Sequence, residues 1–282
     1  MKLIKVSLPT DHEIVWVACL HEGNVHQHSD GIDEIIDYIG TGKNRYAFID
    51  GDIGDGITHI DKRWERKSQD KQSVLEQYNS ITDRFKPIKR KLLGANSGNH
   101  DWKLNTWGDC VEGVFCKNLD IPYGTVASKL IVSDLKGKLQ YKAFIHHPFT
   151  GSVNSTHPDP LMREATETMQ VKRKLALQKM GDCILNISAH FHKGRIARPY
   201  QGLYLVDDGT SIKQKYHREA DPRAPYIPED LRWYASLPGF VKKHLMGLSG
   251  YVERSAYEPV EIGVVRSFTV GGKITHMDKK LV

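Results

Sequence analysis

Short apolar runs that each lead into a cluster of polar residues are the feature that most limits how this chain folds. Ile14–Cys19, Tyr46–Ile49 and Ile184–Ser188 are largely apolar and too short for helices. Runs of this length, bounded by turn formers, predict strands that are buried on both faces. Stretches with helical periodicity separate them, near Asp30–Tyr38 and along a stripe that ends at Phe85. The sequence therefore predicts an α/β fold with loops gathered at strand ends.

Further elements follow from the same patterns. The sequence predicts strands at Ala127–Val132 and Leu139–His146, a helix from Leu161 to Met180 with Gly181 as its C-cap, and a closing hairpin at Glu261–Thr269 and Lys273–His276. Beyond Tyr216 the composition shifts to prolines and aromatic residues. We therefore expect a core over residues 1–215 and an extension over 216–282 that packs on or completes the same domain.

Net charge and cysteine spacing limit the kind of partner and the cellular compartment that we expect for the protein. Forty basic residues against 34 acidic ones give a formal charge of +6, which favours an acidic, phosphate-bearing partner. The four cysteines form no CxxC pair, which argues against a structural zinc module and for a reducing compartment. Neither a secretory signal nor a membrane-spanning apolar run is evident. These features predict a cytoplasmic protein without a membrane partner.

Four strand-end segments carry nearly all of the polar residues that are suited to chemistry. They are Cys19-Leu20-His21, Gly51-Asp52-Ile53-Gly54-Asp55, Gly98-Asn99-His100-Asp101 and His190-Phe191-His192, with His146-His147 between the last two. Imidazole, carboxylate and amide groups suit divalent first-row metals, and one carboxylate can bridge two ions. Each segment alone has an ordinary explanation as a turn or as an incidental histidine pair. Their conjunction favours a metal site.

Taken in order, these segments resemble the calcineurin-like metallophosphoesterase family, whose pattern is D-x-H, GD-x-x-D, GNH-D/E, a later His and GH-x-H. The resemblance covers the chain from about Cys19 to His192, and the second and third segments match the pattern fully. It implies a layered sandwich of two mixed β-sheets flanked by helices. The stretch Gly250-Tyr251-Val252-Glu253-Arg254 also looks like the tails of stand-alone, phage-type members.

The resemblance also implies a role for each residue of the pattern. Asp52 would bridge two divalent ions, of Mn, Zn or Fe. The other ligands would be Cys19, His21 and His192 on one ion, and Asn99, His146 and His190 on the other. His100 would act as general acid, with Asp101 orienting its imidazole, while the bridged ions activate a water as nucleophile. We expect Asp55 to be a hydrogen-bond acceptor, and we exclude His147 from the ligands because it points away from its neighbour His146.

Two positions depart from the family pattern. Ala189 stands where the family has glycine, which is a minor change, whereas Cys19 stands where it has the first aspartate. Three interpretations of Cys19 remain open. It coordinates as a thiolate and favours softer ions such as Zn²⁺ or Fe²⁺ over Mn²⁺; it is a buried strand-end residue beside a weakened site; or both sites are defunct and the fold survives as a scaffold.

The basic charge indicates which phosphate ester is the substrate. Residues 61–91 hold ten basic and five acidic side chains and follow the Asp52 loop, and Trp64 among them offers a stacking surface. A solvated helix face explains the same segment equally well. We expect a phosphodiesterase or nuclease acting on nucleic acid or nucleotides. The alternatives are a phosphomonoesterase or protein phosphatase, and a non-catalytic metal-binding scaffold; the sequence does not predict the oligomeric state.

Overall fold

The computed structural model describes residues 1–59, 61, 64, 67, 69–71, 73–104, 109–178, 180–216, 219–244 and 258–282. The strands are β1 (Lys2–Ser7), β2 (His12–Val17), β3 (Arg45–Asp50), β4 (Leu92–Asn96), β5 (Ala127–Ser133), β6 (Leu139–His146), β7 (Leu185–Ser188), β8 (Arg195–Ala197), β9 (Leu203–Asp207), β10 (Ile212–Tyr216), β11 (Trp233–Ser236), β12 (Gly263–Val270) and β13 (Lys273–Leu281). The α-helices are α1 (Ser29–Thr41), α2 (Val74–Phe85), α3 (Asn99–Lys103), α4 (Lys117–Leu119) and α5 (Pro160–Ala176). Short 3₁₀ segments span Lys86–Lys91 and Glu229–Leu231, and a π-helical turn spans Val111–Cys116.

Two large sheets form the centre of the molecule. One has six strands in the order β1-β5-β6-β7-β11-β8, and the other has five in the order β13-β12-β2-β3-β4. Each contains parallel and antiparallel pairs. Helices flank both sheets, so the predicted α/β sandwich of two mixed sheets is confirmed.

The alternation of side chains along β2 shows why this strand must be buried on both faces. Ile14 and Trp16 pack in the core between the two sheets, while Val15 and Val17 pack in the core that includes α1 and α2. All six residues of β2 are buried. Neighbouring side chains of a strand point to opposite faces, so a continuous apolar run is required wherever a sheet lies between two cores.

Residues 216–282 contribute strands to both sheets. β11 lies between β7 and β8 in the six-stranded sheet, and β12 pairs with β2 in the five-stranded sheet. Because β2 and β7 lead directly into polar strand-end segments, the C-terminal strands support the part of the sheet from which those segments emerge.

Several elements differ from the sequence prediction. The helix expected to reach Met180 ends at Ala176, and its C-cap is Leu177 rather than Gly181. The amide of Gln178 bonds the Leu175 carbonyl, a tighter turn that closes the helix before the glycine is reached. β1 and the β9–β10 hairpin were not predicted. Among the described residues, no helix is both long and apolar enough to cross a bilayer.

Candidate metal centre

The polar strand-end segments meet at one edge of the two sheets. β2, β3 and β4 run parallel, so the loops that follow them emerge on the same side. β6 and β7 are also parallel, with His146 paired to Ser188 at their ends. Carboxyl ends of parallel strands gather loops into one crevice, which is where α/β proteins place their ligands.

Left-handed backbone conformations are concentrated in this crevice. Seven non-glycine residues among those described have positive φ, and five of them are predicted site residues. Their φ values are 53° for Cys19, 49° for His21, 50° for Asp52, 74° for His190 and 52° for His192. Such conformations are costly for L-residues and persist where the surroundings enforce them. The amides of Cys19 and His21 are held by the carbonyls of Gly51 and Asp52, each at 3.0 Å.

The carboxylate of Asp52 lies at the centre of the crevice. Its Oδ2 lies 3.2 Å from His147 Nε2 and 3.8 Å from His21 Nε2. Its Oδ1 accepts a hydrogen bond of 2.8 Å from the amide of His100. Both imidazole Nε2 atoms are buried, and apart from Asp52 neither has a polar partner in the described part of the chain. Two buried nitrogens that meet at one carboxylate and bond nothing else suit a bound cation.

The opposite nitrogen of each of these rings is held in place. His21 Nδ1 lies 3.2 Å from Asp55 Oδ1, and His147 Nδ1 lies 2.6 Å from the carbonyl oxygen of Asp50. The carbonyl requires a proton on Nδ1 of His147, and the carboxylate favours one on Nδ1 of His21. A neutral ring then presents its Nε2 lone pair, which for His147 requires release of the Nε2 proton. Metal-bound histidines typically donate their other N–H to a carboxylate or a backbone carbonyl in this way. The donor set around Asp52 therefore fits divalent metal binding.

Cys19 and His192 complete the group on the His21 side. The ligand atoms of Cys19, His21 and His192 all lie within 4.8 Å of one another, and the two imidazole rings stack with centroids 5.3 Å apart. The Cys19 thiol also lies within 4.8 Å of the ligand atoms of Asp52 and His147. The sulfur is therefore part of the group of ligand atoms that surrounds Asp52.

Asn99 and His190 lie on the His147 side. Asn99 Oδ1 is 2.8 Å from His190 Nδ1, and the rings of His147 and His190 have centroids 5.7 Å apart. His190 and His192 do not share one face of an extended strand, because both have left-handed backbone. Their side chains instead reach different halves of the crevice.

The Asp52 carboxylate is at the centre of the electrostatic interactions in the crevice. Burial alone would raise its pKa, but neighbouring imidazoles, His147 foremost, hold that pKa well below its ordinary value. Burial alone would lower the pKa of His147, but Asp52 and Asp50 outweigh it and raise that pKa to about 9. Burial lowers the pKa of His190 to about 4, and burial, then Asp52, raises the pKa of the Cys19 thiol. A cation bound here must displace the proton of His147, so metal uptake releases protons.

The structure brings His147 rather than His146 to Asp52. Tyr141, Ala143 and Ile145 all face the core between the sheets, and the next residue on that face is His147. His146 shares the other face with Phe144, on whose ring it stacks at 5.9 Å. The groups of ligand atoms that lie within 4.8 Å of one another in the described residues include His147 and omit both His146 and His190. The alternation of side chains along β6 could have predicted this difference between the two histidines. Lys142 is charged and marks the outer face of the strand, and His146 lies on that same face.

The carboxylate of Asp101 is also placed differently from its predicted role. It accepts hydrogen bonds from the amides of Ile53, Gly54 and Gly98 and from the Tyr78 hydroxyl. Asp101 therefore ties the Asp52 loop to the Asn99 loop and does not bond the imidazole of its neighbour.

Asp55 holds His100 instead. The backbone carbonyl of Asp55 bonds His100 Nδ1, and its carboxylate accepts from Asn24 and Gln69, as an acceptor residue should. The ring of His100 lies edge-on to that of His21, with centroids 4.7 Å apart. Burial lowers the pKa of His100, against an opposing effect of Asp52. His100 also offers a ligand atom within 4.8 Å of those of His21 and Asp52, and Nε2 is the ring nitrogen that the Asp55 carbonyl does not hold.

Gly98 explains why the Asn99 segment begins with glycine. A Cβ at Gly98 would lie 2.1 Å from Asp52 Oδ1 and 2.4 Å from the Asp52 amide nitrogen. At Gly51, which has φ of +73°, a Cβ would lie 2.5 Å from both His147 Nδ1 and the amide nitrogen of Gly98. The two loops approach so closely that neither position admits a side chain.

Where residues 61–91 are described, several of their basic side chains make structural contacts. Lys71 and Arg84 pair with the buried Glu22, and Lys86 pairs with Asp83. Lys91 bonds the carbonyl groups at the end of α1. Lys62, Arg63 and Arg66 lie outside the described residues, as does the segment Gly250–Arg254 that looks like a phage-type tail.

Comparisons with known proteins add little to this geometry. No family model matches the sequence, and no curated protein matches it. Among solved structures, the chain is similar to the NAD nucleotidase NadN of Haemophilus influenzae, at 10% identity and a TM-score of 0.39. The match covers 96% of this chain and 50% of that one, so the chain spans about half the length of the nucleotidase. The geometry of the metal centre is therefore the basis for assigning a function.

Proposed function

We propose that the protein is a metal-dependent phosphoesterase that acts on phosphodiesters of nucleotides or nucleic acid. The observation that carries this proposal is the Asp52 carboxylate, which lies between two buried imidazole nitrogens that have no other partner. Cys19, His21, Asp52 and His192 would hold one cation, and Asp52, Asn99, His147 and His190 would hold the other. Two divalent cations in such a site polarise a phosphoryl group and activate water.

The residues of the chain supply positioning and proton transfer. The Asp55 carbonyl fixes the proton on His100 Nδ1, so that His100 Nε2 is directed to the departing oxygen of the ester. When protonated, Nε2 donates its proton to that oxygen as the bond to phosphorus breaks. Asp101 holds the two loops that carry Asp52 and His100 in a fixed relation.

A cationic segment beside the crevice favours a polyanionic substrate. The amide of Phe240 bonds the Cys19 carbonyl, and that of Lys242 bonds the His26 carbonyl, so residues 240–242 pack on the His21 loop. Burial, then His21 and His190, lower the pKa of His192, and the positive charge of Lys243 acts in the same direction with a smaller effect. Positive charge on this side of the crevice would attract a phosphate backbone.

Hydrolysis by metal-loaded protein and by a His100→Ala variant tests the proposed function. We expect metal-stripped protein reconstituted with Mn²⁺, Zn²⁺ or Fe²⁺ to hydrolyse bis-p-nitrophenyl phosphate faster than p-nitrophenyl phosphate. His100→Ala should lose about 10²–10⁴-fold in kcat because the general acid is gone. Its metal content, measured by mass spectrometry, should stay at the wild-type value.

The exposed His157 provides the matched control, since His157→Ala removes an imidazole elsewhere and should leave turnover unchanged. Full activity of His100→Ala would contradict the assignment. Absence of hydrolysis with every metal would instead support a metal-binding scaffold, and a preference for the monoester would point to a phosphomonoesterase.

The thiol of Cys19 makes a separate prediction about metal preference. If the thiolate is a ligand, Cys19→Asp should retain or raise activity and increase the ratio of Mn²⁺-supported to Zn²⁺-supported turnover by about tenfold, because a carboxylate is a harder ligand than a thiolate. Metal content per chain after reconstitution with each ion provides the measurement. A Cys19→Ser variant with unchanged stoichiometry and metal preference would rule out the thiolate.

A further inference from the structure

A pocket of about 470 Å³ lies next to the metal centre and is not explained by metal binding. Its walls include His146, His147, Phe149, Lys174, Ser188 and Phe191. His147 belongs to both the pocket and the Asp52 cluster, so the two spaces share a wall. The volume falls within the range of sites that hold small organic ligands.

Exposed aromatic rings border this pocket. Phe149 is 40% exposed and faces Trp102, itself 46% exposed, with ring centroids 6.0 Å apart. Phe191 lies on another wall, and Lys174 Nζ lies 5.9 Å from the centre of its ring. Phe149 lines the pocket and Trp102 contacts it, so aromatic surface on which a planar ring can stack is available at a pocket beside a phosphate-handling centre.

The aromatic residues are carried by the same segments as the metal centre. Trp102 lies on α3, two residues after His100, and Phe191 lies between His190 and His192. Because His190 and His192 both adopt left-handed backbone, Phe191 is turned out of the extended path and into the pocket wall.

His146 adds a polar group to the pocket. It lines the pocket and is only partly buried. An imidazole on the wall of an aromatic pocket suits a ligand that has hydrogen-bonding atoms on its edge. A nucleobase offers both a flat face and such an edge, whereas a phenyl ring offers only the face.

We propose that this base pocket, formed by His146, Phe149, Lys174 and Phe191, binds the nucleobase next to the scissile phosphate. The substrate class is then a nucleotidyl ester, with the phosphate at the metal centre and the base stacked on Phe149 and Phe191. The inference rests on the proposed function, because the phosphate position comes from the metal centre.

Equilibrium binding of adenosine 5′-monophosphate against ribose 5-phosphate isolates the contribution of the base. Both are titrated by calorimetry into metal-loaded His100→Ala protein, so that turnover does not interfere. We expect adenosine monophosphate to bind about tenfold or more tightly, the gain typical of stacking one base. Phe149→Ala and Phe191→Ala should each reduce that ratio at least threefold, and Phe149→Trp should preserve it. Tyr200→Ala removes a ring that is 67% exposed and lies outside the residues lining this pocket, so it should change nothing.

Each result decides for or against the base pocket. A ratio near one in the parent protein, or a ratio that both phenylalanine variants leave unchanged, would overturn it. Phenyl phosphate that binds as tightly as adenosine monophosphate would show an aryl site instead. Phe149 is partly exposed, so the Phe149→Ala substitution leaves no internal cavity. A change in the binding ratio of this variant therefore does not reflect a loss of folding. If no ester is hydrolysed with any metal, the proposed function fails, yet the binding ratio still tests the pocket.

Discussion

Replacing Asp52 by asparagine is expected to abolish turnover and release metal, with a loss of at least about 10³-fold in kcat/KM. Asparagine keeps the shape of the side chain and the acceptor for the His100 amide. It is also one of the few residues that adopt the left-handed backbone found at this position. What it lacks is the negative charge that two cations would share, and that charge is worth several kcal/mol in the transition state.

Asp50 offers the matched control for this substitution. It is a fully buried carboxylate two residues earlier, and burial raises its pKa to about 6. Its carbonyl, rather than its side chain, holds His147, so Asp50→Asn should keep both cations and stay within about tenfold of wild-type activity. Metal content by mass spectrometry and steady-state kinetics on a phosphodiester provide the measurements. An Asp52→Asn protein that retained two ions per chain and normal turnover would refute the bridging role.

The strands that carry the site were predictable because their burial is unusual. A sheet packed on both faces needs apolar runs; β2 and β3 contain continuous ones, and β7 contains a largely apolar one that Asn186 interrupts. The polar residue types that follow each run are equally evident, so Asp52, Asn99 and the histidines can be assigned to one metal site from the sequence alone.

The backbone of the loops could not be read from the sequence. Left-handed φ occurs at Cys19, His21, Asp52, His190 and His192, and the first three lie in loops that are joined by hydrogen bonds between residues far apart in the chain. His190 and His192 would share a face only on extended backbone, and neither residue adopts it. Asp101 was likewise assigned to its neighbour, whereas long-range bonds to Ile53 and Gly54 determine where it lies.

A comparison of His147→Ala with His146→Ala tests the assignment on which sequence and structure differ most. His147→Ala should lose one of two cations per chain and about 10²–10³-fold in kcat/KM, because it removes a ligand from one side of Asp52. His146→Ala should keep both cations and stay within about threefold of wild type on a substrate without a nucleobase.

The pair is well matched, because the two residues are adjacent histidines and differ mainly in the face of β6 to which they belong. In metal-free protein, the imidazolium of His147 lies against the buried carboxylate of Asp52 and bonds the backbone carbonyl of Asp50. Removing it leaves the nearby negative charges of Asp52 and Asp50 without this cation, so circular dichroism should show a lower Tm for His147→Ala without metal. Loss of a cation in His146→Ala, with both cations retained in His147→Ala, would restore the ligand set implied by the family pattern. The opposite result would establish that the alternation of side chains along β6, rather than the position of a histidine in a motif, determines which ring reaches the metal.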